Sequence, residues 1–234
     1  MSSQIQIPCM VLAAGRGERM RPLTDHTPKP LLTVKNKTLL DWHLENLSRH
    51  GAHQVAINHA WLGEKIVQHI KNSSYPDLEI SLSNEQVALE TAGGLKQGMS
   101  LMTIQDYFFV INGDVFCPDF PFSTIQDTVE HLRQSKAVVL AHLFLIKNPE
   151  HNLSGDFSLK GGLITEKSDT LPSYTFSGAG LYHQDLLKGI KIGEIAKLAP
   201  ILRTAMSHNQ VTGELLNVNW VDVGTPERLA ELNK

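Results

Sequence analysis

Apolar positions along the chain fall into two alternating patterns. Short unbroken apolar runs, as in strands buried on both faces, stand at 7–14 (interrupted by Pro8), 55–57 and 107–111. A run at 78–82 alternates apolar and polar positions, as a half-buried strand does. Between these runs the spacing is helical. Leu39, Leu40, His43, Leu44 and Leu47 form one stripe within 38–50, closed by Gly51. Ile66, Val67 and Ile70 form a second within 62–70. A third helix is expected over 91–102, with Thr91 as its cap and glycines in its first turn. Strands separated by helices imply right-handed βαβ units and a mainly parallel sheet.

Past residue 115 the pattern loosens. A long apolar strand is expected at 137–146 and a hairpin of 156–159 and 163–166 around Lys160, Gly161 and Gly162. A strand at 174–182 and a helix at 195–206 follow. No repeat, low-complexity stretch or linker divides the chain, so a single α/β domain is expected over 1–234.

The first apolar run feeds a tight turn, Gly15-Arg16-Gly17. Arg19, Arg21 and Lys29 follow, stiffened by Pro22, Pro28 and Pro30. Glycines let backbone N–H groups approach an anion, and the cations neutralise it, so the segment suits a polyphosphate. It is not a dinucleotide fingerprint, because Met20 stands where the third glycine belongs. Nor is it a P-loop, for it has no Gly-Lys-Ser/Thr. A lone Gly-x-Gly would read as a surface loop; Arg19 and the lysine held between two prolines move the reading to a binding loop. Asp114, in Asn112-Gly113-Asp114, suits a turn or a metal ligand equally well. Asp222 is similarly open: it is a metal candidate, or it merely precedes a final helix capped by Thr225 with Pro226 at its first position. Ligands of open α/β sheets sit at the carboxyl ends of strands, so the Gly15 turn and Asp114 are expected to face one cleft.

Composition narrows the function classes. The 234 residues are 41% apolar and 19% charged, as in a globular protein, with a net charge of −3. A balance this close to neutral shows no global basicity of the kind nucleic-acid binding favours, so any anion site must be local. No apolar run approaches membrane-spanning length, and the N-terminal MSSQIQIPCMV lacks the form of a secretory signal. Cys9 and Cys117 are expected to be buried free thiols of a cytoplasmic protein.

The stretch from Leu12 to Thr24, followed by Pro28-Lys29-Pro30, resembles the signature of the sugar-1-phosphate nucleotidylyltransferases. The resemblance covers nearly the whole chain. It implies a Rossmann-like nucleotidyltransferase fold: a mainly parallel mixed central sheet flanked by helices, with a nucleotide-binding half (1–115) and a sugar-phosphate half (116–234). Arg19, Lys29 and Asp114 would be catalytic, and Asp114 with Asp222 would hold Mg²⁺. Arg19 and the amides from Gly15 to Gly17 would cradle the β- and γ-phosphates. Leu12, Ala13, Ala14, Asn84, Glu85, Gly93 and Asn112 would contact the nucleotide. Asn148, Gly155, Asp156, Glu166, Lys167, Ser177 and Gly178 would contact the sugar phosphate.

Further segments, at 57–63, 89–94 and Lys197-Leu198-Ala199-Pro200, narrow the resemblance to uridylyltransferases. It then implies UTP and N-acetylmuramate α-1-phosphate as substrates and peptidoglycan recycling as the setting. Ala92 departs from the expected base-loop glycine. Glu166-Lys167 is also similar to enzymes acting on glucose 1-phosphate, so mannose or glucose 1-phosphate stays open as acceptor, and GTP as donor. The chain ends just past the Asp222 motif, so no acyltransferase β-helix is expected. A non-catalytic nucleotide-sugar sensor is disfavoured, because Arg19, Lys29, Asp114 and Asp222 are all present. Oligomeric state is open.

Overall fold

The structure is a computed structural model and describes residues 4–234. The expectation about a secretory signal rests partly on residues 1–3, which lie outside them. The first half runs β1 (Cys9–Leu12), β2 (Thr33–Val34), β3 (Lys37–Thr38), α1 (Leu39–Arg49), β4 (Gln54–His59), α2 (Gly63–Asn72), β5 (Glu79–Asn84), α3 (Glu90–Met99), β6 (Tyr107–Asn112) and β7 (Val115–Phe116). The second runs α4 (Ile125–Gln134), β8 (Ala141–Ile146), β9 (Phe157–Lys160), β10 (Leu163–Glu166), β11 (Ser173–His183), α5 (Leu198–Ser207), β12 (Val211–Leu215), β13 (Val221–Asp222) and α6 (Pro226–Leu232).

Nine strands form one sheet in the order β5-β4-β1-β6-β11-β8-β12-β10-β9. β5, β4, β1 and β6 are mutually parallel, as the βαβ pattern predicts. β11 then runs antiparallel to both β6 and β8, and β12 is parallel to β8. The sheet is therefore mixed and continuous past residue 115. β1, third in this order, is buried on both sides: Cys9, Met10 and Val11 are fully buried and serve opposite faces. On one face Val11, Ile57 and Phe109 pack with α1, α2 and α4; on the other Met10, Ala56 and Phe108 pack with α3 and α5. Both cysteines are free and buried, and burial pushes both thiols up.

α1 forms where its stripe predicts. The Thr38 side chain accepts from Asp41 N, and Leu39, Leu40, Leu44 and Leu47 are buried. α3 differs from expectation at its start. It begins at Glu90, and Thr91 does not cap it. Its first amides, those of Ala92 and Gly93, donate to the carbonyl of Ala196 at 2.9 and 3.2 Å. A backbone carbonyl from a distant segment thus does the work of a cap side chain. α5 starts at Leu198 rather than at 195.

Two short pairings matter most for function. β7 pairs with β13 in the register Asp222↔Val115, and Val223 N–H donates to Asp114 O at 2.9 Å. These contacts bring the Asp222 strand alongside Asp114. The Thr225 side chain caps α6, with Pro226 in its first turn, as its sequence predicts.

Candidate active site

Strand ends build the cleft. A cavity of about 370 Å³ opens at the carboxyl ends of β1, β4 and β6. Leu12, Ala13, Ala14, Gly15, Lys29, Asn58, Glu85, Asn112 and Asp114 line it. A second cavity of about 340 Å³ shares Gly15, Lys29 and Asp114 with the first and adds Gly17, Arg19 and Gly224. The structure therefore brings the glycine turn, both cations and Asp114 together.

Local geometry explains the turn. Gly17 adopts φ +66°, which an L side chain rarely takes, and a Cβ there would come within 3.0 Å of Thr24 Cγ2 and 3.2 Å of Lys29 Cβ. Gly17 O accepts from Thr24 Oγ1 at 2.8 Å, tying the turn to the segment that leads into Lys29. Lys29 starts a short 3₁₀ turn behind Pro28 and is 7% exposed. Its ammonium donates to Asp114 Oδ2 at 2.5 Å. Arg19 makes no ion pair among the described residues, whereas Arg21 pairs with Asp25 at 2.6 Å on the surface. Arg16 lies over the Trp61 ring, 4.6 Å from its centroid. Behind Asp114, His43 is buried on α1. Burial pushes its imidazole down to about 4, against the opposing field of Asp114, so the ring is neutral at neutral pH.

The donor set fits magnesium. The Asp222 Oδ1 atom is held by Arg228 and, at 2.8 Å, by His151 Nε2. The Oδ1 atom of Asp114 and Oδ2 of Asp222 have no hydrogen bond among the described residues. No group of three or more His, Cys, Asp or Glu side chains forms a self-sufficient metal cage among the described residues. Two carboxylates near a glycine turn lined by cations would suit a divalent cation that takes its other ligands from substrate oxygens and water.

The expected nucleotide contacts divide. Glu85 is buried and lines the first cavity with Asn58, Ala88 and Thr91. Asn84 does not line it; its carbonyl accepts from Gln97 Nε2 at 2.7 Å. Gly93 lies under the segment carrying Ala196, which takes its N–H. Sequence reasoning missed Asn58, although it stands at the end of a parallel strand, where the same rule flagged Gly15 and Asp114. It also missed His151 and Arg228, which meet Asp222 only through the fold.

The expected sugar contacts lie mostly in a hydrogen-bonded loop. Asn148 Nδ2 donates to Leu153 O and Ser173 O, and its Oδ1 accepts from Thr175 Oγ1. Asp156 accepts from Phe176 N at 2.9 Å and from Asn152 Nδ2 at 3.1 Å. Gly155 packs against Asn148. Ser177 is buried, and its carbonyl accepts from Trp220 Nε1 at 2.7 Å. Gly178 packs against Asn112, which lines the first cavity, but neither Ser177 nor Gly178 lines it. Glu166 faces Arg203 at 3.6 Å, and Lys167 donates to Ser154 Oγ at 3.4 Å; neither lines the cavities described.

A profile of nucleotidyl transferases matches residues 9–234. The chain belongs to that family. This nucleotidyltransferase is 45% identical over 224 residues to the N-acetylmuramate alpha-1-phosphate uridylyltransferase of Neisseria meningitidis serogroup B, a match covering 95% of each chain. It is 28% identical to the mannose-1-phosphate guanylyltransferase catalytic subunit beta of Xenopus tropicalis, over 93% of this chain and 61% of that protein. Among solved structures, a UDP-glucose pyrophosphorylase complexed with UDP-glucose superposes with a TM-score of 0.78 and 17% identity, covering 98% of this chain and 97% of that one. That likeness shows the fold. Of the expectations drawn from sequence, the family and the mixed α/β sheet flanked by helices hold.

One strained residue of this nucleotidyltransferase sits at the cleft. Glu90 lines the first cavity with φ +60°. Glycine adopts that backbone freely, so Glu90→Gly is expected to stabilise the fold by up to about 1 kcal/mol, or about 2–4 °C in Tm. Thermal denaturation checks this; a lower Tm would show that side-chain contacts outweigh the strain.

Proposed function

We propose that the chain transfers UMP from UTP to N-acetylmuramate α-1-phosphate, releasing pyrophosphate, in the cytoplasmic recycling of peptidoglycan sugars. The observation that carries this reading is the meeting of Lys29, Asp114 and the 15–17 turn in one cleft, in a chain 45% identical to an enzyme named for that activity.

A sugar-phosphate oxygen forms a bond to the α-phosphorus, and the bond from that phosphorus to the bridging β-phosphate oxygen breaks. The nucleophile is already an anion, so no general base is needed. The obstacle is bringing two anions together, and positioning plus charge stabilisation overcome it. Arg19 and the amides of the 15–17 turn bind the β- and γ-phosphates. Lys29 sits at the α-phosphate, where attacking and leaving oxygens gather charge. Asp114 and Asp222 would hold magnesium, whose charge offsets that of the phosphates when bound. Leu12, Ala13 and Glu85 meet the base. The loop bounded by Asn148 and Asp156, with the strand at Ser177 and Gly178, shapes the acceptor side, and Glu166 and Lys167 extend it.

Pyrophosphate release tests the acceptor assignment. With UTP and Mg²⁺, N-acetylmuramate α-1-phosphate is expected to exceed glucose and mannose 1-phosphate by at least about 10²-fold in kcat/KM. Equal or greater release with a plain hexose phosphate would move the enzyme to another acceptor.

A further inference from the structure

Asn58 is held in a built network at the base end of the cleft. Asn58 and Glu85 are each 4% exposed, and both line the first cavity. Asn58 Oδ1 accepts from Ala13 N at 2.7 Å. Its Nδ2 donates to Glu85 Oε1, also at 2.7 Å. The other carboxylate oxygen, Oε2, accepts from Leu89 N at 3.0 Å. One amide therefore ties the end of β1 to the loop leading into α3. The fold reserves space for the pair: a Cβ at Gly94 would lie 2.6 Å from Glu85 Oε1 and 2.9 Å from Asn58 Nδ2.

The chemistry of the bridge is demanding. Ala13 needs an acceptor and Glu85 needs a donor, and a planar amide offers both in fixed geometry. Aspartate would set two carboxylates against each other, and alanine would strand buried polar groups on both sides. We propose that Asn58 is the positioning residue that sets base selectivity. It holds the Ala13 backbone and the Glu85 carboxylate at one spacing, so that the slot presents an acceptor to the pairing edge of the base. Uracil offers an N3–H there, whereas cytosine offers an N3 lone pair. The inference rests on the uridylyl-transfer reading and adds to it the residue that fixes the preference.

Equilibrium binding of UTP and CTP, each with Mg²⁺, tests it by calorimetry. Asn58→Asp is expected to lower the UTP-over-CTP affinity ratio by at least about tenfold, the cost of a lost hydrogen bond to a charged group. The double variant N58D/E85Q re-forms the same three contacts, with donor and acceptor exchanged across the 58–85 contact. It is expected to return the ratio to within about threefold of the parent. A purely structural role would lower stability and both affinities together and leave the ratio unchanged. An unchanged ratio in folded N58D, or a collapsed ratio in the folded double variant, overturns the proposal. If N58D does not fold, the double variant decides alone. A parent protein that binds neither nucleotide overturns the uridylyl-transfer reading and this inference with it.

Discussion

Asp114→Asn is expected to reduce nucleotidyl transfer by about three orders of magnitude or more while the fold persists. The substitution keeps the volume and removes the charge. Asp114 stands at the turn after β6, its Oδ2 on Lys29 and its backbone carbonyl bound by Val223 N. The backbone contact does not depend on the side chain, so the β7–β13 pairing survives. Lys29 loses its carboxylate, but the Asp114 side chain is 35% exposed, so water screens part of the loss. Circular dichroism and Tm are expected to stay close to the parent, and the response of the rate to Mg²⁺ to vanish. Near-normal turnover with an unchanged Mg²⁺ response would remove Asp114 from the metal site.

The second large effect is at Lys29. Lys29→Ala is expected to lower kcat by about 10²–10³-fold and to change the KM for UTP far less. The reason is where the ammonium sits. It is buried between two prolines, aimed at Asp114 and shared by both cavities. On the proposed reading, a cation fixed there would meet charge that builds on the α-phosphoryl oxygens in the transition state, and binding alone would use little of it. Steady-state kinetics at saturating acceptor separates the two parameters. A pure KM effect would make Lys29 a substrate-binding residue only.

What the sequence disclosed followed from local signals. The buried parallel strands β1 and β6 are continuous apolar runs, and α1 announces itself by its stripe and terminal glycine. The glycine turn and Pro28-Lys29-Pro30 are each short unbroken motifs, so both could be picked out locally, and the fold brings them to one cavity. The illegible parts are long-range. β7 and β13 have two residues each, too few to show a period, yet they bring Asp222 alongside Asp114. The start of α3 is capped by a carbonyl more than a hundred positions away, which no local rule reports. Asn58 directly follows the short apolar run 55–57, and its contacts with Ala13 and Glu85 emerge only in the fold. The polar residues expected to contact the sugar were individually visible. Their commitment to one another, as in Asn148 with Thr175 or Asp156 with Phe176, was not.

The most direct test of the central claim follows the phosphorus atoms. The protein is incubated with Mg²⁺, N-acetylmuramate α-1-phosphate and UTP labelled either at the α- or at the γ-phosphate. Uridylyl transfer predicts that α-label passes into a UDP-sugar and that γ-label leaves as pyrophosphate, in equal amounts. Label appearing as inorganic phosphate, or α-label remaining in UDP or UMP with no sugar nucleotide formed, would contradict nucleotidyl transfer at this cleft.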